Sequence, residues 1–268
     1  MFTYTWYQWI LLFFCYAFIG WCFESTYVSL AQKKLVNRGF LRGPILPIYG
    51  FGAIFILMAT LPVRSSPSAV FFIGMITATA LELVTGYAME HLFKVRYWDY
   101  SHHPLNFQGY ICLSSSLAWG VFSIFLLELI HPPFERFILS VPKVWAIVLV
   151  VILLIYFVAD FIASAQSAFD LSKMMEQMTV IKNQIKEIES DIKDFSTEVQ
   201  TLSKQGASIL SEEVQQKKEQ LTKEYESIVS RLNILKKSLL KGNPGSTSKK
   251  FSEALEELKQ RLKDSIDL

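Results

Sequence analysis

Five stretches of this chain, at about 6–30, 44–62, 68–92, 109–130 and 143–163, run for close to a helical bilayer crossing with hardly a charge among them. The hydrocarbon core takes about 20 apolar residues of helix to cross. Lipid leaves a spanning backbone only the helix or the closed barrel. The pattern predicts an all-α fold class, a polytopic membrane helix bundle of about five spans. Trp6, Tyr7, Trp9 and Trp145 lie near segment ends, where aromatic rings favour the headgroup layer. Pro62, Arg64 and Pro67 separate the second stretch from the third, and His131-Pro132-Pro133 is expected to end the fourth. No basic n-region or small-residue cleavage site accompanies Trp6–Leu30, which reads as a retained membrane helix rather than a signal peptide.

Composition divides the chain near residue 169. Residues 1–169 hold nine Lys/Arg, seven Asp/Glu and all six Trp, whereas residues 170–268 hold seventeen charges of each sign and neither Trp nor Cys. The first part is membrane-like and the second resembles a solvated helical rod. A net charge of only +2 gives no reason to expect nucleic acid as a partner. From Met174 the apolar positions Met178, Ile181, Ile185, Ile188, Ile192, Phe195, Val199 and Leu202 alternate steps of four and three, the seam of a coiled coil. The seam breaks at Ser203–Ser208, Ser211 reads as a helix cap, and a second seam runs through Leu221, Tyr225, Ile228, Leu232, Leu235 and Leu239. The expected organisation is a transmembrane bundle over 1–169, a coiled-coil hairpin over 170–241, a flexible linker over 242–250 and an amphipathic helix over 251–268. A parallel dimer of the tail, or another coiled-coil partner, competes with the hairpin. The last helix could dock on the hairpin, on a partner or on the membrane surface.

Basic residues orient the bundle. The first and third connections hold Lys33, Lys34, Arg38, Arg42, Lys94 and Arg96, against Arg64, Arg136 and Lys143 in the second and fourth. The bias places the N-terminus outside and the tail in the cytoplasm of a multi-pass cell-membrane protein surrounded by lipid. Glu24, Asn37, Arg38, Arg42, Tyr49, Glu90, Arg96, Trp98, Asp99 and Asn106 then converge on one membrane face, with Glu82 reaching deepest. Glu82, Gly86 and Glu90 follow an i, i+4, i+8 row and share a helix face. Ionisable groups at such depth mark a functional site by default. The plainer alternative pairs Glu90 with Lys94 at the interface and leaves Glu82 alone in the interior. Asp160 reads as interfacial, and Glu128 and Glu135 as residents of the outer headgroup layer.

Around the glycine turn of Asn37–Pro44, Arg38 and Arg42 could present planar donors to a carboxylate or phosphate, or could pair with Glu24, Glu90 or Asp99. Arg96-Tyr97-Trp98-Asp99-Tyr100 could anchor at the interface, or join Glu90 and an arginine of the first loop in a buried network. No phosphate-binding loop, zinc-protease motif or nucleophile elbow occurs. No cofactor is expected, and His102-His103 has too few neighbouring ligands for a metal. Cys15, Cys22 and Cys112 form no C-x-x-C pair and read as small apolar residues.

Three motifs carry a resemblance: N-R-G-F-L-R-G-P-I-L-P-I-Y-G-F-G-A from Asn37, the E-x(7)-E-x-L-F step ending at Phe93, and R-Y-W-D-Y-S-x-x-P-x-N-x-x-G-Y-I-C-L-x-S-S-x-x-W-G from Arg96. In that order, over roughly residues 6–165, the chain resembles the bacterial membrane-protein family called putative ABC-transporter permease, type IV. The resemblance implies a polytopic transport component, with any ATPase supplied by a separate ATP-binding subunit. It does not reach the tail. Two other functions compete: a membrane enzyme acting on a lipid or isoprenoid headgroup with Glu90 or Asp99 as acid or base, and a membrane-anchored scaffold or regulator.

Overall fold

The computed structural model describes residues 4–198, 204–232 and 234–264. Helix α1 (Trp6–Gln32) starts behind a reciprocal cap in which the Gln8 carboxamide accepts the Thr5 N–H at 2.8 Å. Helix α2 (Pro47–Thr60) leads through a 3₁₀ turn (Leu61–Val63) to α3 (Pro67–Phe93), which opens with Pro67 behind the Ser66 cap. A two-residue antiparallel pair, β1 (Asn106–Phe107) with β2 (Ile111–Cys112), precedes α4 (Leu113–Phe125). A π turn (Leu126–Ile130) joins α4 to α5 (His131–Ser140). The rest is α6 (Lys143–Glu198), α7 (Lys204–Ser230), α8 (Ile234–Gly242) and α9 (Ser252–Asp264). The fold is all-α.

Among the described residues four helices are long and apolar enough to cross a membrane: Trp6–Gln32, Pro67–Phe93, Leu113–Ser140 and the first part of α6. The second apolar stretch departs from the expected full span. Its α2 has 14 residues, about 21 Å at 1.5 Å per residue, because Gly43, Pro44 and Pro47 keep the preceding backbone out of a helix. Irregular backbone at this depth needs protein partners, and it has them. The Leu46 N–H bonds the Ala17 carbonyl of α1 at 3.0 Å, and Asp160 of α6 accepts the N–H groups of Arg42 and Gly43.

The fourth stretch also differs from expectation. His131-Pro132-Pro133 does not end it; the helical path continues to Ser140. Two prolines in succession remove two amide donors and crowd the preceding turn. The π turn just before them widens that turn and lets the path continue. Glycines admit the close packing between spans: a side chain at Gly20 would collide with the Tyr49 ring, and one at Gly74 with Ser123. The buried core among these helices includes Leu12, Ile56, Leu57, Val70, Leu126, Ile138 and Val150.

The boundary drawn at residue 169 is not a break in the backbone, since α6 runs through it for 56 residues. Beyond it the tail folds back antiparallel: Glu189 pairs with Lys218, and nearer the membrane Ala168 packs with Leu239. Two expected punctuation points are corrected. Residues 204–208 and Ser211 lie inside α7 rather than in a break and at a cap, and the second arm is interrupted at 231–232 instead. Val199, Leu202 and Ile266 fall outside the described residues. Helix α9 lies on the hairpin. Its Leu255, Leu258 and Leu262 close a core with Met174, Met175, Met178, Tyr225 and Ile228, each fully buried side chain contributing about 1.5–3 kcal/mol relative to exposure in water.

Segment 242–250, read from sequence as a flexible linker, is tied down. Asn243 is 2% exposed and bonds the carbonyls of Gly39 and Leu239, and Thr247 exchanges both backbone hydrogen bonds with Arg96. Loops 33–46 and 94–112 and the tail therefore share one face, the tail face. The start of α1, the 61–66 turn and the start of α6 share the other, where Trp6 and Trp145 are exposed.

Candidate functional site

Arg96 is the centre of the third loop and is 2% exposed. Its Nε donates to Glu90 Oε2 at 2.7 Å, its Nη1 pairs with Asp99 Oδ1 at 3.5 Å and donates to the Gln108 carbonyl, and its guanidinium lies 4.6 Å from the Tyr110 ring centre. The Tyr110 hydroxyl donates to the same Glu90 oxygen at 2.5 Å. Lys94 takes no part in this. It ends α3 in the left-handed region and donates to the His91 carbonyl, so the interfacial Glu90–Lys94 pair is replaced by Glu90–Arg96.

The loop is rigidly specified around that centre. Gly109 has φ +79, and a side chain there would meet Ser101, Arg96 and Asp99 at once. Trp98 Nε1 donates to the Tyr110 carbonyl; Asn106 bonds the carbonyls of Ser101 and His103 and accepts the Gly109 N–H. Burial alone would raise the Asp99 carboxyl, but the Ser101 hydroxyl and N–H, the Thr247 hydroxyl and Arg96 outweigh it and hold Asp99 below the usual carboxylate range. Burial and the neighbouring Glu82 carboxylate push the Tyr100 phenol up, so it stays a donor.

Glu82 lies in the interior, two turns from Glu90 along α3, and is 5% exposed. Three neutral donors hold it: Tyr100 Oη at 3.0 Å, Ser115 Oγ at 2.9 Å and Trp119 Nε1 at 3.1 Å. No cation among the described residues pairs with it. The Trp119 ring sits 6.0 Å from the Tyr49 ring, and the Tyr49 hydroxyl donates to Glu24 at 2.7 Å. Glu24 in turn lies 3.7 Å from Arg38. A continuous polar and aromatic path thus runs from the tail face at Arg38 to the buried Glu82.

The arginines of the first loop part company. Arg38 donates to the Gly242 carbonyl and to Asn243 Oδ1, and more weakly to the Tyr97 carbonyl. Arg42 turns to α6, donating to the Ala163 carbonyl and Ser167, while Asn37 bonds the Arg42 carbonyl and accepts from Trp21. Neither arginine joins Arg96. Asp160 is not a bystander at the interface, because it satisfies the amides of the first loop.

Two groupings of residues went unseen in the sequence. Asn243, Thr247 and Ser248 reach the loops from the far end of the chain, and Ser248 donates to the Lys94 carbonyl. On the opposite face, His131 is 3% exposed between Tyr4 and Tyr16, with Glu135 bonded to Tyr4. No group of metal-ligating side chains occurs among the described residues.

A family model described as putative ABC-transporter type IV matches residues 11–165, more than half of the chain. The chain belongs to that family. Neither the curated proteins nor the solved structures contain a significant match. The matched span of the ABC-transporter type IV family begins within α1 and ends within α6, just beyond Asp160, and holds every site residue named from sequence. With its apolar helices, family membership makes this a membrane protein related to transport. The tail lies outside the match.

Proposed function

We propose that the chain is the membrane-embedded, permease-like component of a transport system, that it works with a separate ATP-binding subunit, and that its pathway passes Glu82. The observation that carries this reading is Glu82 itself, a carboxyl buried within an apolar helix and held, among the described residues, by neutral donors. A group of this kind is costly to keep in a bilayer and signals an ion or substrate pathway. The path through Trp119, Tyr49 and Glu24 supports an opening on the tail face. The basic residues of loops 33–46 and 94–112 support a cytoplasmic assignment of that face, with the N-terminus outside. The headgroup-enzyme reading needs a free guanidinium fork for phosphate, and Arg38, Arg42 and Arg96 are each engaged by protein oxygens.

The test compares wild type with Glu82→Gln in native membranes. An ATP-binding chain is expected to co-purify with both at equal membrane levels, while the Gln variant loses the physiological activity of the wild type. Loss of Glu82→Gln by degradation would make Glu82 structural. Absence of any ATP-binding chain from the wild-type preparation would remove the transport partner.

A further inference from the structure

Thr79 precedes Glu82 by one turn of α3, and the row Thr79, Glu82, Gly86 (i, i+3, i+7) puts both polar side chains on one helix face. The Thr79 hydroxyl oxygen is buried and has no hydrogen-bond partner among the described residues. A hydroxyl inside a helix ordinarily bonds the carbonyl four residues back. Thr60, Ser123 and Ser167 do so here, donating to the carbonyls of Ile56, Trp119 and Ala163. An orphaned hydroxyl at membrane depth is costly, and this one stands beside the buried carboxyl.

Glu82 shows the same surplus of accepting capacity. A carboxylate offers about four lone-pair positions. Tyr100 occupies one on Oε1, and Ser115 and Trp119 occupy two on Oε2. One position on Oε1 stays open, and none of the three donors brings a positive charge. The surroundings are aromatic: Tyr100 and Trp119 bond the carboxylate, and Tyr49 meets Trp119 edge to face. Gly52 of α2 is buried, yet a side chain there would meet nothing nearer than Leu81 at 3.7 Å, so α2 and α3 leave room beside the turn that carries Glu82.

The charges nearby narrow the class of guest. An anion would meet Glu82 and Glu24 and find no free cation, since Arg38 is held by Glu24 and the tail, and Arg96 by Glu90 and Asp99. A hard divalent ion takes six or more oxygen ligands, several of them carboxylates, and no group of metal-ligating side chains occurs among the described residues. A monovalent organic cation balances the one carboxylate and suits the rings.

We propose that the site at Glu82 binds an organic ammonium ion. Its N–H groups donate to Glu82 Oε1 and Thr79 Oγ1, and its charge lies against the rings of Tyr49 and Trp119. This rests on the reading that the pathway passes Glu82, and it adds the class of substrate.

The test is equilibrium dialysis of three probes of one shape against the full-length protein in lipid nanodiscs, with empty nanodiscs as background. The probes are benzylammonium (cationic), benzyl alcohol (neutral) and benzoate (anionic), at about pH 7, where the amine is charged and the acid ionised. Saturable binding is expected for benzylammonium alone. Glu82→Gln should weaken it by about tenfold or more, and Thr79→Val by a factor of about three. Glu128→Gln, at an exposed position of the π turn, should leave it unchanged. Equal binding of benzoate or benzyl alcohol, no saturable binding of benzylammonium, or an affinity untouched by Glu82→Gln would each overturn the proposal. Were Glu82→Gln not to fold, the three probes and Thr79→Val decide, and wild-type affinity in Thr79→Val overturns it. Benzylammonium that fails to bind while Glu82→Gln still loses physiological activity would sink the ammonium assignment and leave the transport reading standing.

Discussion

Replacing Arg96 by glutamine would leave the Glu90 and Asp99 carboxylates close together, each under a quarter exposed and without their cation. Stranding buried charge costs about 3–5 kcal/mol, so Arg96→Gln should lower the melting temperature of the purified protein far more than Lys94→Gln, which removes no ion pair seen here. Asp99 gives the loop a pH dependence of known sign. Its carboxyl titrates below the ordinary carboxylate value. Its stabilising contribution is therefore complete above about pH 4 and is lost as the pH falls through the depressed value. Thr247→Val removes one of the bonds that depress it, and acid melting curves should show a shallower loss for that variant; curves parallel to wild type would contradict the assignment. At this scale the sequence was partly legible. Glu90, Arg96 and Asp99 sit within ten residues, so a local network could be inferred from charge and spacing. The partners of Arg38 and Arg42 could not, because Asn243 and Asp160 are brought to them only by the tail and by α6.

Among the elements, segment 242–248 is the one whose composition misleads most. Gly, Asn, Pro and Ser normally announce a loose connection, yet Asn243 alone joins Arg38, Gly39 and Leu239. The same small polar side chains that suit a linker also suit close hydrogen bonding to other backbones. Asn243→Ala should weaken the attachment by about 1–3 kcal/mol, and hydrogen exchange should rise in 37–42 and 94–101 while α7 and α9 stay protected. Equal exchange in wild type and variant would show that the tie contributes nothing. The α4–α5 junction misled in the opposite way. Pro132-Pro133 reads as a stop from local rules, and only the π turn, which no residue pattern announced, carries the helix onward and brings His131 inside.

The whole molecule couples what the sequence divides. Apolar run length was enough to give the all-α fold and three of the five expected spans in outline, but not the short α2 or the continuation of the fourth path to Ser140. The attachment of one part to the other was illegible because it depends on contacts more than a hundred residues apart. Shortening the chain to end at Leu240 would remove the partners of Arg38, Lys94 and Asp99 together. Protease cleavage in the 33–46 and 94–112 loops should accelerate while the spanning helices remain inserted; unchanged cleavage would mean the loops hold their shape without the tail. Helix α6 adds a mechanical side to this coupling. It has no joint where it leaves the bilayer, and Asp160, on its membrane half, grips the first loop. A force at the far end of α6 therefore acts through an arm about 57 Å long, with its fulcrum beside the Arg42–Gly43 turn, and a tilt there is delivered as a displacement of the backbone that leads into α2.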